Sequence, residues 1–197
     1  GAATAQEEFL IDWDAIGDEA IDYMVDLVRI DSSNPPGNET EVANYLAKVL
    51  ADEGLESELY ALEPERANLV VRHEGNGSKR PILLMGHTDV VGVQAEKWTE
   101  PPFSGLRKDG YIWGRGTLDD KDNVTAARMV MLLLERLDVA MDRDVIFLAE
   151  SGEEGTPHVG INFMVDEHWD VIEAEYAIAE GGGMQEVDGE VNVVGVQ

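Results

Sequence analysis

The residues most able to do chemistry in this 197-residue chain lie within residues 81–91. There an apolar run is interrupted by Gly86, His87, Thr88 and Asp89 before it continues with two valines. A continuous apolar run is typical of a strand buried on both faces, and ligands of open α/β sheets bind at the carboxyl ends of such strands. Side chains two positions apart share one face of a strand. His87 could therefore ligate a metal ion, while Asp89 holds the other ring nitrogen or steadies the neighbouring backbone. The alternative is a purely structural histidine.

Three further acidic groups follow apolar segments and are flanked by glycine: Asp119-Asp120, Glu153-Glu154 and Glu180. Glycine lets backbone and ligands approach each other closely. A carboxylate-bridged two-metal site needs several strand ends that present histidine or carboxylate, and it holds two metals roughly 3.5–4 Å apart to polarise a carbonyl and generate hydroxide. One acidic cluster could be ordinary surface in so acidic a chain. The joint pattern favours a site.

The elements that must position these residues alternate along the chain. Apolar spacing and breaker residues predict helices over residues 12–30, 39–52, 120–137 and 161–168. They predict strands over residues 55–62, 68–73, 81–91, 143–149, 176–179 and 191–196. Asn38 and Glu41 suggest a capping box for the second helix, and Gly54 closes it. This alternation is typical of an α/β fold with a mostly parallel sheet in one domain.

Composition excludes several classes of function. The chain has 41 acidic against 14 basic residues, a net charge of −27, which argues against a nucleic-acid partner because phosphate binding needs a cationic face. The acids are spread throughout, which favours solubility through charge or a salt-adapted source. No cysteine is present, so any metal must be held by histidine and carboxylates. The sequence contains no run of eighteen apolar residues, so it predicts no membrane span.

Two further features bear on location and on alternative sites. Residues 1–6 are small and polar, as in a cloning remnant or the residue of a cleaved signal peptide, so we lean toward an exported protein, with a cytoplasmic location left open. His73 and His158 are expected at the surface or in a loop, and His168 at the end of a helix. A nucleotide-binding domain is excluded because no Gly-rich phosphate loop follows the first strand.

Four ordered motifs resemble the co-catalytic zinc peptidases and deacylases, which include aminoacylase, acetylornithine deacetylase, succinyl-diaminopimelate desuccinylase, glutamate carboxypeptidase and carboxypeptidase S. They are Gly86-His-Thr-Asp89, Gly114-Arg-Gly-Thr-Leu-Asp-Asp-Lys121, Gly152-Glu-Glu-Gly155 and Glu180-Gly-Gly-Gly183. The resemblance spans residues 30–183. It implies a three-layer αβα fold of the zinc-exopeptidase kind. It also implies hydrolysis of amide bonds, as by an exopeptidase or carboxypeptidase, a dipeptidase or an N-acyl-amino-acid deacylase.

Carried over position by position, the resemblance implies two zinc ions, although mixed His and carboxylate ligands also suit cobalt or manganese. His87 and Glu180 would ligate one metal, Glu154 would ligate the other, and Asp119 would bridge the two. Ala179 stands where some relatives have an acid, so Glu180 is the expected ligand at that strand end.

The resemblance also assigns the proton chemistry. Glu153 would be the general base that deprotonates the attacking water and passes the proton to the leaving amine. Asp89 would be the carboxylate that supports His87. Family members often have Asp directly before the two glutamates, where this chain has Gly152.

The resemblance further implies that residues 1–197 are the first segment of a catalytic domain. The family has an inserted lid domain, which commonly mediates dimerisation, and a later segment with a second His ligand, and neither is in this sequence. The expected substrate is a small peptide or an N-acyl amino acid, and the full-length protein is expected to form a homodimer. The competing interpretation is a non-catalytic acidic domain that binds divalent metal or a partner.

Overall fold

A computed structural model describes residues 9–181, 184–187 and 190–194. Its helices are α1 (Trp13–Arg29), α2 (Glu39–Asp52), α3 (Lys121–Arg136), α4 (Ile161–Glu167) and α5 (Trp169–Ile172). Its strands are β1 (Ser33–Asn34), β2 (Ser57–Ala61), β3 (Ala67–His73), β4 (Ile82–His87), β5 (Val90–Val91), β6 (Leu106–Lys108), β7 (Tyr111–Trp113), β8 (Val145–Glu150), β9 (Tyr176–Ile178), β10 (Met184–Val187) and β11 (Glu190–Val194).

A five-stranded sheet in the order β2-β3-β8-β4-β9 forms the centre of the fold. β8 is parallel to β4, and β4 is parallel to β9, whereas β3 is antiparallel to both β2 and β8. Four of the five strands therefore run in one direction, and the predicted mostly parallel α/β sheet is confirmed. The carboxyl ends of β4, β8 and β9 consequently meet at one edge of the sheet.

The sheet separates two apolar cores, which confirms the three-layer arrangement. On one face Leu69, Val71 and Phe147 pack against the apolar sides of α1, α2 and α3. On the other face Ile146 and Leu148 pack with residues of α4 and α5. Every residue of β8 is buried, because this strand has neighbours on both edges and helices on both faces.

The predicted bounds of α2 agree with the structure, but its predicted capping box does not form as expected. Asn38 is the N-cap residue, yet its side chain caps no helix N–H and instead donates to Glu41 Oε2 at 2.7 Å. At the other end Gly54 adopts a φ of 87°, a left-handed conformation that glycine takes at little cost and that ends the helix. This closure was predicted.

Residues 92–110, for which no helix or strand was predicted, contain a 3-10 helix, Ala95–Lys97, and the first strand of the β6–β7 hairpin. Asp109 and Gly110 both have positive φ at the turn, as two-residue hairpin turns require. The predicted last strand corresponds to β11, which pairs with an unpredicted β10. The expectations for residues 1–6, 182–183 and 195–196 lie outside the described residues.

Candidate metal centre

His87 ends β4 and is almost fully buried, with 2% of its side chain exposed. Its Nδ1 lies 2.9 Å from the backbone oxygen of Asp89 and 3.3 Å from Asp89 Oδ1. Two neighbours on this nitrogen fix the orientation of the ring. Nε2 is thereby directed toward the acidic residues at the other strand ends.

Asp89 is fully buried and supports both the histidine and the neighbouring backbone, so the two options open at the sequence level occur together. Its carboxylate accepts from the backbone N–H groups of Glu153 at 3.1 Å and Glu154 at 3.0 Å, and from Asn34 Nδ2 at 2.8 Å. Burial alone would raise the pKa of Asp89, but these hydrogen bonds and His87 together lower it below its usual value. Asp89 is therefore held as a carboxylate.

The Nε2 atom of His87 lies among three carboxylates from three different segments. The distances are 2.9 Å to Asp119 Oδ1, 3.1 Å to Glu180 Oε2 and 3.8 Å to Glu153 Oε2. Ligand atoms of His87, Asp119 and Glu154 lie within 4.8 Å of one another, as do those of His87, Asp120 and Glu180. The structure thus brings together all six sequence-predicted site residues.

This donor set fits a cation. Burial would lower the pKa of His87, but Asp89, Asp119 and Asp120 outweigh burial and raise it to about 10. The carboxylates thus favour a positive charge at the imidazole, and without a metal a proton is the charge that the side chain can supply. An imidazole and several carboxylate oxygens are also the ligands that zinc, cobalt and manganese accept.

Asp120 supports the centre in a way that the sequence did not reveal. Its Oδ2 accepts from the backbone N–H of His87 at 3.0 Å, and its Oδ1 accepts from Asn123. Burial raises its pKa to about 6, although these hydrogen bonds and the His87 ring oppose that shift. A Cβ on Gly86 would lie 2.7 Å from Asp120 Oδ2, so only glycine permits this approach.

A buried ion pair anchors the loop that carries Glu153 and Glu154, residues 152–156, which we call the acidic loop. Arg66 Nε lies 2.6 Å from Glu39 Oε2, and Arg66 Nη2 lies 2.7 Å from Glu39 Oε1. Arg66 also donates to Thr156 Oγ1 at 2.8 Å, and Glu39 accepts from the backbone N–H of Gly152 at 3.2 Å. The pair thus fixes both ends of the acidic loop.

A buried lysine fixes the other acidic segment. Lys121, the first residue of α3, follows Asp119 and Asp120, and its Nζ donates to Leu27 O at 2.9 Å and Ile30 O at 2.8 Å. These carbonyls belong to the last turn and C-cap of α1, which favour a cation. Burial lowers the pKa of Lys121 to about 8. The lysine therefore ties the start of α3 to the end of α1.

A cavity of about 260 Å³ adjoins the centre, lined by Met85, Gly86, His87, Asp120, Glu150, Glu153, Ile161, Ala179 and Glu180. Glu150 ends β8 and is 6% exposed, and burial raises its pKa to about 7. Its Oε2 is buried without a hydrogen-bond partner among the described residues. Glu150 was not among the predicted site residues, although an acid that continues the apolar alternation of Ile146 and Leu148 was a usable signal.

The remaining histidines lie outside the centre. His158 lies in the loop after Glu153 and Glu154, as expected, and is exposed. His168 is the C-cap of α4. The centroid of its ring lies 4.6 Å from the ring centroid of Tyr60 and 4.8 Å from that of Phe163. The expected surface position of His73 is wrong: its side chain is 13% exposed and lies 3.4 Å from Glu135.

Comparison with known proteins identifies the class to which this fold and this centre belong. The model of peptidase family M20/M25/M40 matches residues 83–194, more than half of the chain. The chain therefore belongs to this family of metallopeptidases and amidohydrolases, as the sequence motifs predicted.

The relatives at the level of sequence carry two different names. A probable succinyl-diaminopimelate desuccinylase of Staphylococcus epidermidis is 34% identical over 151 residues, which cover 76% of this chain and 36% of the relative. The human N-fatty-acyl-amino acid synthase/hydrolase PM20D1 is 36% identical over 132 residues, 65% of this chain and 25% of the relative. The chain thus spans about a third or less of the length of these relatives.

Solved structures show the same fold. The M20 family metallo-carboxypeptidase Sso-CP2 of Sulfolobus solfataricus has a TM-score of 0.72 and 24% identity over 85% of this chain and 38% of that chain. Human carnosine dipeptidase 1 has a TM-score of 0.67 and 19% identity over 84% and 39% of the two chains. Within the described residues, no helix is both long enough and apolar enough to cross a bilayer.

Proposed function

We propose that the whole protein is a metal-dependent hydrolase of amide bonds that uses two zinc ions and a glutamate as general base. The single observation that carries this proposal is the position of the His87 imidazole, whose Nε2 lies within 3.8 Å of three carboxylates from separate segments. The family supports a metal-dependent peptidase or amidohydrolase. Zinc, the number of ions and the roles of individual residues are our own assignments.

His87 and Glu180 would hold one zinc ion, Glu154 would hold the second, and Asp119 would bridge the two. The distances of 3.1 Å from His87 Nε2 to Glu180 and 2.9 Å to Asp119 support placing these three residues around one ion. Ligand atoms of Asp119 and Glu154 lie within 4.8 Å of each other and of His87, which supports Asp119 as the ligand that the two ions share. When bound, the ions would polarise the scissile carbonyl and lower the pKa of water. Cobalt or manganese fits the same ligands.

Glu153 would carry the proton. Its side chain is 51% exposed and its Oε2 lies 3.8 Å from His87 Nε2, so it can face a substrate beside the centre. Its backbone N–H is fixed on Asp89, which limits the movement of the side chain. Glu153 would take a proton from the attacking water and deliver it to the nitrogen of the leaving amine.

The proposed substrates are small peptides or N-acyl amino acids. We further propose that this chain corresponds to the first segment of a catalytic domain. In the longer protein, a lid domain that mediates dimerisation and a later segment with a second His ligand would complete it. The relatives are about three times as long as the matched region, which supports this division.

Zinc content and amide hydrolysis test the proposal together. After dialysis, the wild-type chain should retain zinc, and His87→Ala should lose it, whereas His158→Ala, which changes an exposed histidine, should not. Glu153→Gln should retain zinc but strongly slow any hydrolysis that the wild type shows. If His87→Ala and His158→Ala hold as much zinc as the wild type, the proposed centre is wrong.

The Glu153→Gln variant also discriminates between an enzyme and a non-catalytic acidic domain that only binds metal. Loss of a positioned general base typically lowers the rate about 10²–10⁴-fold. A chain that hydrolyses amides equally well with Glu153→Gln would contradict the proposed base. Metal retention in that variant ensures that a lower rate reports proton transfer and not an empty centre.

A further inference from the structure

Glu150 occupies a position at which the alternation of side chains along β8 predicts an apolar residue. Ile146 and Leu148 point from β8 into the core formed with α4 and α5. Because side chains alternate along a strand, Glu150 faces the same side of the sheet. In the parallel ladder it lies opposite His87. A carboxylate therefore continues an apolar row directly beside the proposed metal centre.

This carboxylate lacks the partner that burial normally demands. Only 6% of Glu150 is exposed, and within the described residues its Oε2 has no hydrogen-bond donor. Burying an unpaired polar group costs free energy, and buried charges in proteins are almost always paired. A retained acid at such a position is therefore expected to meet its donor in a ligand.

The cavity beside Glu150 indicates which kind of ligand this is. Carboxylates of Glu153 and Glu180 line the cavity together with Glu150, while Met85 and Ile161 supply apolar walls. A small group that combines positive charge with N–H donors complements this lining, whereas a succinyl or fatty acyl group brings no donor. A metal ion fits less well, because Glu150 belongs to neither of the three-residue ligand groups in the described residues.

We propose that Glu150 binds the free amino group of the substrate, so that the protein acts on short peptides with an unblocked amino terminus and not on N-acylated amino acids. This inference rests on the proposed function, since it places the amino group beside the same centre. It chooses between the two substrate classes that the proposed function leaves open. The ammonium group would donate to Glu150 Oε2 from within the cavity.

Two zinc-chelating probes that differ only in the amino group test this assignment. L-alanine hydroxamate and propionohydroxamate would be titrated calorimetrically into the zinc-loaded full chain. A charge-assisted hydrogen bond corresponds to about a tenfold or larger preference for the amino compound in the wild type. Glu150→Gln should reduce this preference to below about threefold, while the exposed Glu167→Gln on α4 should preserve it.

The outcomes separate this inference from the proposed function. Equal affinity of the wild type for both probes, or a preference that Glu150→Gln leaves unchanged, overturns the inference but leaves the metal centre intact. Lower zinc content in Glu150→Gln would make Glu150 a metal ligand and also overturns it. A wild-type chain that takes up no zinc refutes the proposed function, and this inference with it. The comparison of the two probes on the wild type tests the inference even if the Glu150→Gln variant does not fold.

Discussion

Replacing Arg66 by methionine should destabilise the fold far more than the loss of one surface ion pair would. The substitution leaves the Glu39 carboxylate, which is fully buried, without its bidentate partner at 2.6 and 2.7 Å. Breaking a buried pair by removing one partner typically costs about 3–5 kcal/mol, because the remaining charge is uncompensated. Small domains are stable by only about 5–15 kcal/mol, so this loss should be plainly visible in urea unfolding.

The local effect of Arg66→Met should fall on the acidic loop. Arg66 donates to Thr156, and Glu39 accepts from the backbone N–H of Gly152. Hydrogen exchange should therefore accelerate in residues 152–156 more than in α1 or in β8. In zinc titrations, affinity should fall at the position held by Glu154, since this loop carries that ligand.

A matched control and a double substitution make the reasoning refutable. Arg136 bonds Glu19 and Glu53 at the surface, with 27% of its side chain exposed, and Arg136→Met should cost only about 1 kcal/mol and leave zinc binding unchanged. Glu39→Leu combined with Arg66→Met should recover much of the stability, because no buried charge is left unpaired. If Arg66→Met costs no more than Arg136→Met, the buried pair does not anchor the loop.

Three further outcomes are expected. Gly86→Ala places a Cβ 2.7 Å from Asp120 Oδ2 and 3.1 Å from Val124 Cγ2. This overpacking should lower the stability by about 1–3 kcal/mol and weaken zinc binding, and an unchanged dissociation constant for zinc would contradict the prediction. Lys121→Met removes two buried hydrogen bonds to the carbonyls of Leu27 and Ile30 and should lower the stability measured by urea unfolding by about 1–3 kcal/mol. An unchanged stability would show that these carbonyls bond water instead. In metal-free protein, the folded pKa of Glu150 of about 7 exceeds its ordinary value of 4.5, so the folded state binds the extra proton between these values and stability falls as pH rises through this window. Glu150→Gln removes this loss, and its advantage over the wild type should grow to at most about 3 kcal/mol by pH 7 and then level off; an advantage independent of pH would refute the assignment.

Five of the six proposed site residues could be selected from the sequence because their motifs place an acid or histidine at or just after the end of an apolar strand, beside a glycine. Asp119, whose motif was expected to behave in the same way, lies instead just before α3. Parallel strands bring their carboxyl ends together, so linear motifs predict their spatial meeting. The bounds of α2 and its end at Gly54 were likewise predictable from local chemistry. These features depend on residues close in sequence.

The supporting residues could not be predicted in the same way, because their partners are distant in sequence. Arg66 and Glu39 look like ordinary surface charges in a chain with 41 acids, and only the fold makes them a buried pair. Asp120 differs from its neighbour Asp119 only in direction, since one carboxylate turns back to the His87 backbone and the other toward its ring. The position of Asn38 as N-cap of α2 was predictable, but the predicted capping box was wrong because the side chain of Asn38 bonds the Glu41 side chain instead of the helix backbone.

The scattering of the centre over the ends of β4, β8 and β9 and the start of α3 has a kinetic consequence. These ligands meet only after β3, β8, β4 and β9 have paired across long stretches of sequence, and such non-local contacts form slowly. Until then the acids repel one another and offer no common binding position. Zinc should therefore bind after the rate-limiting step, so that it slows unfolding in proportion to its affinity while leaving the folding rate unchanged.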